Sequence, residues 1–217
     1  MVAPEPAGSA PPGELRRDLR LIADMIEPGS RVLDVGCGDG ALLAYLARDK
    51  GVDGRGIELS QSGVNACVRH GLSVIQGDAD HDLAAFPDGA FDVVVLSQTL
   101  QATHRPLHVV KELLRIGKRA IVSFPNFGLW RIRLRLLFRG RMPVSELLNH
   151  PWYETPNIHL CTIRDFVALV DEIGARIERS VPLDRHGRPF SLDPRGSLAN
   201  LLAEQGVFLL SGKRNSS

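Results

Sequence analysis

The glycine-rich segment at residues 34–40 constrains the fold of this chain more than any other feature. It has the sequence DVGCGDG and joins a short β-type run, residues 31–35, to a helical run, residues 41–48. Glycines in such a turn permit backbone conformations with positive φ and let a ligand approach the main chain closely. The segment therefore predicts a strand-turn-helix unit whose turn can bind a nucleotide-like ligand.

The order of segments around this turn predicts an α/β fold. The predicted strands are residues 31–35, 52–59, 72–76, 91–96, 119–124, 175–181 and 207–211, and the predicted helices are residues 15–26, 41–48, 61–70, 106–116 and 163–173. This alternation indicates a Rossmann-like, mostly parallel, seven-stranded sheet with helices on both faces. Residues 1–13, rich in Pro, Gly and Ala, are predicted to be a flexible N-terminal tail before a single domain, residues 14–213.

Composition narrows the functional classes. Of the 217 residues, 44% are hydrophobic and 24% charged, with a formal net charge of +1, which argues against an electrostatic nucleic-acid binder. No apolar run is long enough to span a bilayer, and the N-terminus lacks the pattern of a signal peptide. Three cysteines without a CxxC pair favour a reducing compartment and argue against structural zinc. We therefore expect a cytoplasmic protein.

Acidic residues follow the first three predicted strands. Asp34 lies two residues before the first glycine of the turn, Glu58 ends the second strand, and Asp78 follows the third. The glycines also fit a dinucleotide fingerprint, G-x-G-x-x-A, but a buried carboxylate at position 34 would repel a pyrophosphate and attract an ammonium or sulfonium group. The charges therefore favour S-adenosylmethionine, with ribose hydroxyls on Glu58 and the adenine amino group on Asp78.

A purely structural interpretation of these acids is the alternative. Asp34 would then cap the turn, while Glu58 and Asp78 would be solvated loop residues. Asp80 and Asp82 also compete with Asp78 for the adenine contact.

The sequence offers only weak candidates for a catalytic base. The segment after the fourth strand, SQTLQ, lacks the Asn/Asp-Pro-Pro-aromatic signature that holds an amino group, so methylation of nucleic-acid amino groups is disfavoured. His104 and His159 are the candidate bases, and both also fit structural roles. Pro106 separates His104 from His108, and no acid completes a metal site there. Cys37 is better explained as a small buried hydrophobe than as a nucleophile.

Residues 127–160 interrupt the α/β alternation and are predicted to be an insertion after the fifth strand. Arg131, Arg135 and Arg139 share one helical face, and Leu134, Leu137 and Phe138 occupy another, which indicates an amphipathic helix. One interpretation is a solvated arginine face whose apolar side packs on the core. The other is a protein-binding face, because aromatic residues and arginine are enriched in binding hot spots. A membrane surface has little support.

The order of motifs, DxGxGxG, then a strand-terminal Glu, then GDA, resembles the class I S-adenosylmethionine-dependent methyltransferases. That resemblance implies an antiparallel final strand, residues 207–211, and S-adenosylmethionine or S-adenosylhomocysteine as the ligand. The residues expected to bind it are Asp34, Gly36, Cys37, Gly38, Gly40, Glu58, Leu59, Asp78, Ala79 and Ser97.

Four further motifs resemble the bacterial MetW family of methionine biosynthesis. They are SQTLQA at residue 97, AIVSFPNFG at residue 120, GRMPV at residue 140 and WYETPNIH at residue 152. The resemblance implies a methyltransferase fold that serves as accessory subunit of homoserine O-acyltransferase, an α/β-hydrolase-fold enzyme. The arginine stripe beside Trp130, with Trp152 and Tyr153, predicts that residues 127–160 are the contact surface. An active small-molecule methyltransferase is the alternative, and a homo-oligomer stays open.

Overall fold

The computed structural model of the chain describes residues 15–142 and 151–212. The predicted flexible tail, residues 1–13, lies outside these ranges, and so do residues 143–150 of the predicted insertion. No helix within the described ranges is both long enough and apolar enough to cross a membrane.

The described residues form a seven-stranded sheet with the order β3-β2-β1-β4-β5-β7-β6. Its strands are β1 (Arg31–Val35), β2 (Asp53–Glu58), β3 (Ser73–Gln76), β4 (Phe91–Ser97), β5 (Gly117–Pro125), β6 (Arg176–Leu183) and β7 (Gln205–Ser211). β7 runs antiparallel to both neighbours, β5 and β6, and the other pairs are parallel. The predicted sheet and its antiparallel last strand are therefore confirmed.

Seven α-helices accompany the strands within the described ranges. They are α1 (Arg17–Asp24), α2 (Ala41–Lys50), α3 (Gln61–Arg69), α4 (Pro106–Ile116), α5 (Trp130–Arg139), α6 (Ile163–Glu172) and α7 (Ser197–Leu202). The predicted start signals work as expected: Ser60 accepts a hydrogen bond from Gly63 N at the start of α3, and Thr162 and Asp165 form a reciprocal capping box on α6. The prediction missed α7, because six residues are too short to show a helical period.

Alternation along the strands divides the core between the two faces of the sheet. In β1, Leu33 and Val35 belong to the cluster under α4 and α6, whereas Val32 belongs to the cluster under α1 and α2. Since both faces are covered, the central strands are almost fully buried. A ligand can therefore reach these strands only at their ends, where β1 and β4 lie side by side and the loops that follow them can diverge.

The insertion leaves the sheet at the end of β5 and returns to the same place. Phe127 N donates to Cys161 O at 3.1 Å, which joins the two limbs at their base. The returning limb also contacts the loop after β4, because Ile158 N and His159 N both donate to Gln101 O, at 2.8 and 2.9 Å. The base of the insertion is thus attached to the strand ends that carry the glycine turn.

Asn126 fixes that base from inside the protein. Its Nδ2 donates to Asn200 O and Ala203 O, and its Oδ1 accepts from Gly128 N and Ile163 N, at 2.7 to 3.1 Å. The side chain is buried with its four hydrogen-bonding positions all used. One amide therefore joins the end of β5 to the starts of the insertion and α6 and to the end of α7.

Candidate functional site

The glycine turn after β1 has a backbone that only glycine adopts readily. Gly36, Gly38 and Gly40 have φ values of 73°, 58° and 80°. A Cβ on Gly36 would lie 2.5 Å from Thr99 Oγ1, so the loop after β4 packs directly against the turn. The N–H groups of Gly36 and Cys37 both donate to Ile57 O, at 2.8 and 3.1 Å, which fixes the turn to β2.

Glu58, at the end of β2, organises the same turn. Its Oε2 accepts from Gly38 N at 2.9 Å, and its Oε1 accepts from Ser60 N at 2.9 Å and from Ser60 Oγ at 2.8 Å. The carboxylate thus joins the glycine turn to the start of α3. A carboxylate offers about four acceptor positions, so three hydrogen bonds leave room for a ligand hydroxyl. The structure brings Glu58 and the glycines together, as a ribose site requires.

Asp34 is a buried carboxyl group at the end of β1. It is 3% exposed, lies on the α1 side of the sheet with Val32, and accepts no hydrogen bond from the described residues. Burial raises its pKa from 3.8 to about 7, the negative charge of Glu58 adds to the rise, and Arg16 opposes it. A cationic group bound beside the turn would find here a carboxylate that lacks a partner.

Asp78 follows β3 and lies beside an imidazole that the sequence did not single out. Its Oδ1 accepts from Asp80 N at 2.9 Å, and its Oδ2 lies 3.1 Å from His81 Nδ1. The Asp80 hydrogen bond, followed by the contact with His81, lowers the pKa of Asp78. The side chain of Asp78 is more than one third exposed, so it stays ionised and accessible to a ligand.

The two acids that compete with Asp78 have structural partners. Asp80 is buried and accepts from His104 N at 2.7 Å and Arg105 N at 2.8 Å, which ties it to the residues before α4. Asp82 accepts from Asp78 N at 2.7 Å. Burial therefore removes Asp80 from the competition for a ligand contact, whereas Asp78 and Asp82 both stay accessible.

Two apolar residues and a hydroxyl complete the predicted binding set. Leu59 follows Glu58 and is 67% exposed, although it is a large aliphatic side chain next to a charged site. Such a side chain can cover one face of a purine ring. Ala79 packs partly against the core, and Ser97 Oγ lies 3.1 Å from Ser123 Oγ on the neighbouring strand.

Cys37 packs inside the turn. Its Sγ lies 3.8 Å from Cys67 Sγ, and both residues are buried. Burial, with the charge of Asp34, raises the pKa of the Cys37 thiol well above its ordinary range. Such a thiol stays protonated, so Cys37 shapes the turn and is a poor nucleophile.

The two candidate bases meet at the end of the loop after β4. His159 Nε2 lies 3.3 Å from the backbone oxygen of His104. Because a carbonyl oxygen only accepts, this contact requires the proton on Nε2 and leaves Nδ1 as an acceptor in the neutral ring. His159 therefore keeps one ring nitrogen that can accept a proton.

Helix α5 exposes its apolar residues. Leu137 and Phe138 are 74% and 78% exposed, and Ile132 is the one residue of the helix that is fully buried. The interpretation that the apolar side packs on the core is therefore wrong for most of the helix. Arg131 lies over the Trp130 ring at 5.5 Å, and Trp152 in the returning limb is 72% exposed.

Two residues of the SQTLQA motif have structural roles that the sequence analysis did not predict. Gln98 has a φ of 60°, which is unusual for a side-chain-bearing residue, and its N–H donates to Ser123 O at 2.9 Å. Gln101 is buried at the base of the insertion. The motif marks both positions, but their roles come from contacts with distant segments and are not visible in the local sequence.

The fold and the site define the class of this protein: it has the class I methyltransferase fold. A SAM-dependent methyltransferase of Thermotoga maritima, a possible histamine N-methyltransferase, superposes with a TM-score of 0.63 and 18% identity over 91% of this chain and 88% of that chain. The [4+2]-cyclase SpnF superposes with a TM-score of 0.64 and 19% identity over 90% and 80%. At these identities the likeness shows the fold alone.

The chain belongs to the MetW family. The family model described as methionine biosynthesis protein MetW matches residues 16–210. The bifunctional methionine biosynthesis protein MetXA/MetW of Rhodopirellula baltica is 36% identical over 176 residues, which cover 77% of this chain and 28% of that protein. A fatty-acid O-methyltransferase of Mycolicibacterium smegmatis is 46% identical over 72 residues, 31% of this chain and 26% of that protein. The chain spans under a third of the length of both relatives.

The pKa of Asp34 generates a prediction about stability. Between about pH 4 and 7 the folded protein keeps a proton on Asp34 that the unfolded chain releases, so the stability contribution of this group falls as the pH rises and is lowest above pH 7. The unfolding free energy of Asp34→Asn minus that of the wild type should therefore increase by roughly 2 kcal/mol from pH 5 to pH 8. Chemical denaturation at both pH values measures this gain.

The matched control for this measurement is Asp39→Asn, which removes an exposed carboxylate from the same turn. Its stability should follow that of the wild type across the pH range. A constant difference between Asp34→Asn and wild type at both pH values would contradict the perturbed pKa.

Proposed function

We propose that this protein binds S-adenosylmethionine or S-adenosylhomocysteine at its strand ends and acts in methionine biosynthesis as accessory subunit of homoserine O-acyltransferase. The observation that carries the proposal is the Rhodopirellula baltica relative, whose name joins MetXA and MetW in one polypeptide. Fusion of two proteins into one chain is expected where they work side by side. If the two proteins are separate chains, their association needs a contact surface on each of them. On this chain the proposed surface is residues 127–160.

The ligand part of the proposal is supported by the charges of the site. Asp34 has no hydrogen-bond partner for its carboxyl group among the described residues and can bind the ammonium group at the amino acid end of the ligand. Glu58 has acceptor capacity left for a ribose hydroxyl. Asp78 is accessible for an adenine amino group, and Leu59 for the purine face. The proposed binding residues are Asp34, Gly36, Cys37, Gly38, Gly40, Glu58, Leu59, Asp78, Ala79 and Ser97.

Methyl transfer to a small molecule is the second candidate function. It is favoured by the curated relatives that are named methyltransferases and by the orientation of His159, whose Nδ1 can accept a proton. Methyl transfer needs little more than positioning and a base. The [4+2]-cyclase SpnF has the same fold, so the fold by itself does not imply methyl transfer.

The partner surface is proposed on residues 127–160. Helix α5 contains four arginines and no acid, and it exposes Leu137 and Phe138. Trp152 and Tyr153 add two exposed aromatic rings that pack edge to face at 5.7 Å. Large apolar side chains surrounded by arginine are typical of the centre of a binding surface.

The ligand assignment is tested by Glu58→Ala. Losing the charged acceptor should weaken S-adenosylmethionine binding by about 1.5 to 3 kcal/mol, because charge-assisted hydrogen bonds lie in this range. Isothermal calorimetry measures the change. Asp53→Ala, at the exposed start of the same strand, is the matched control and should bind as the wild type does. Unchanged affinity in Glu58→Ala, or no binding by the wild type, would contradict the assignment.

The two candidate functions separate in one experiment with methyl-labelled S-adenosylmethionine. The purified protein is incubated with cell extract and, separately, with purified homoserine O-acyltransferase. We expect higher acyltransferase turnover and no transfer of label, because the sequence offers only weak candidates for the base that methyl transfer to a protonated acceptor needs. Label in a metabolite together with unchanged acyltransferase turnover would favour the methyltransferase instead.

The surface assignment is tested by the double variant Leu137→Ser/Phe138→Ser. Removing two exposed apolar anchors should reduce association with the acyltransferase at least tenfold in a pull-down titration, and S-adenosylmethionine affinity should stay within a few-fold. The control, Val68→Ser/Ile75→Ser, removes two other exposed apolar side chains near the β3 edge, which are 58% and 51% exposed. Loss of ligand binding with the partner retained would show that the insertion is a lid over the site.

A further inference from the structure

Helix α7 exposes two leucines on one face. Leu198 and Leu202 are four residues apart, so their side chains are neighbours on the helix surface, and they are 57% and 47% exposed. The buried residues of the helix are Ala199 and Asn200, which face the body of the protein. The packing of α7 on the protein therefore does not account for the two leucines.

The start of the insertion packs against the same short helix. A Cβ on Gly128 would lie 2.7 Å from Asn200 Oδ1, so the main chain of the insertion is in direct contact with the buried face of α7. Trp130 lies two residues after Gly128 and is 40% exposed. Leu198 and Leu202 each lie two residues from Asn200. The exposed leucines of α7 and the first exposed ring of α5 are therefore neighbours on one surface.

Arginines border this surface. Arg164 N donates to Asn200 Oδ1 at 3.3 Å, which places the first turn of α6 beside α7, and the Arg164 side chain is exposed. The neighbouring Asp165 is occupied by the capping box of α6. At the start of α5, Arg131 lies 5.5 Å from the centre of the Trp130 ring. Charge complementarity therefore favours a partner that presents carboxylates around an apolar patch.

A second copy of this chain fits the surface poorly. In a contact with two-fold symmetry the same patch of both copies meets, so Arg131 and Arg164 of one copy would approach the same arginines of the other. Like charges brought together across an interface weaken binding. A different protein with acidic groups in its contact surface meets no such repulsion.

We propose that Leu198 and Leu202 form a second contact area for homoserine O-acyltransferase, continuous with the surface proposed on residues 127–160. This inference rests on the proposed function, since it takes the same enzyme as the partner. The partner presents an apolar patch bordered by carboxylates. Contact with both α5 and α7 fixes the partner against the insertion and the body of the protein at once, so the complex has one orientation.

The apolar part is tested by Leu198→Ser/Leu202→Ser in a titration of the full chain with purified acyltransferase. We expect association to weaken roughly tenfold, because two apolar anchors lose their contact. The midpoint of thermal unfolding and the affinity for S-adenosylmethionine should stay as in the wild type. The matched control is Val68→Ser/Ile75→Ser, whose side chains are 58% and 51% exposed at the other end of the sheet. This control should bind the acyltransferase as the wild type does.

The charge part is tested by Arg164→Gln and Arg164→Glu. Reversing the charge should weaken association more than removing it does, and the difference should shrink as the salt concentration rises. Arg176→Glu, which reverses an exposed arginine on the edge strand β6, is the control and should leave association unchanged. Equal association of the two Arg164 variants would contradict the acidic border of the partner.

The outcomes separate this inference from the proposed function. If Leu137→Ser/Phe138→Ser loses the partner and Leu198→Ser/Leu202→Ser keeps it, the inference is wrong and the proposed function stands. A lower unfolding midpoint of the α7 variant would show that the leucines serve the fold and would also overturn the inference. So would sedimentation in which the wild type self-associates and the α7 variant does not, because the occupant would then be a second copy. No association of the wild type with the acyltransferase would overturn both.

Discussion

The hydrogen bonds that hold the glycine turn to β2 are the constraint on which the rest of the site depends. Ile57 O accepts from two N–H groups of the turn, and Glu58 accepts from a third, so the end of β2 determines the shape of the loop after β1. The positive φ values in the turn are possible because glycine has no Cβ and adopts them without a steric clash. With the turn fixed, the acids at the ends of three strands come to one edge of the sheet, and the loop after β4 packs against it.

The same edge also supports the insertion. Gln101 joins the loop after β4 to the returning limb, and its Nε2 donates to Pro125 O at 2.9 Å. Asn126 joins the base of the insertion to α6 and α7. The loop that packs against the glycine turn and the base of the insertion are therefore joined by buried amides. If the proposed function holds, this connection gives a physical route by which occupancy of the ligand site biases the partner surface, provided that the two bound states differ in free energy.

Several elements followed from the sequence because their causes are local. The turn is marked by its glycines, α4 begins at a proline, and α6 begins at a capping box, and each lies where it was predicted. The antiparallel β7 followed from the resemblance to a known fold. What escaped prediction depends on distant contacts: α7 is too short to show a period, and Gln98 takes its left-handed backbone from hydrogen bonds to Ser123.

The sequence by itself determined the class of fold, the acids at the strand ends and the amphipathic character of α5, because periodicity and turn chemistry are written within a few neighbouring residues. Only the tertiary structure decided that most of α5 stays exposed, and that Asp80 accepts hydrogen bonds from the residues before α4 while Asp78 stays accessible. Burial and charge pairing depend on which segments meet in space, and the spacing of residues along the chain does not contain that information.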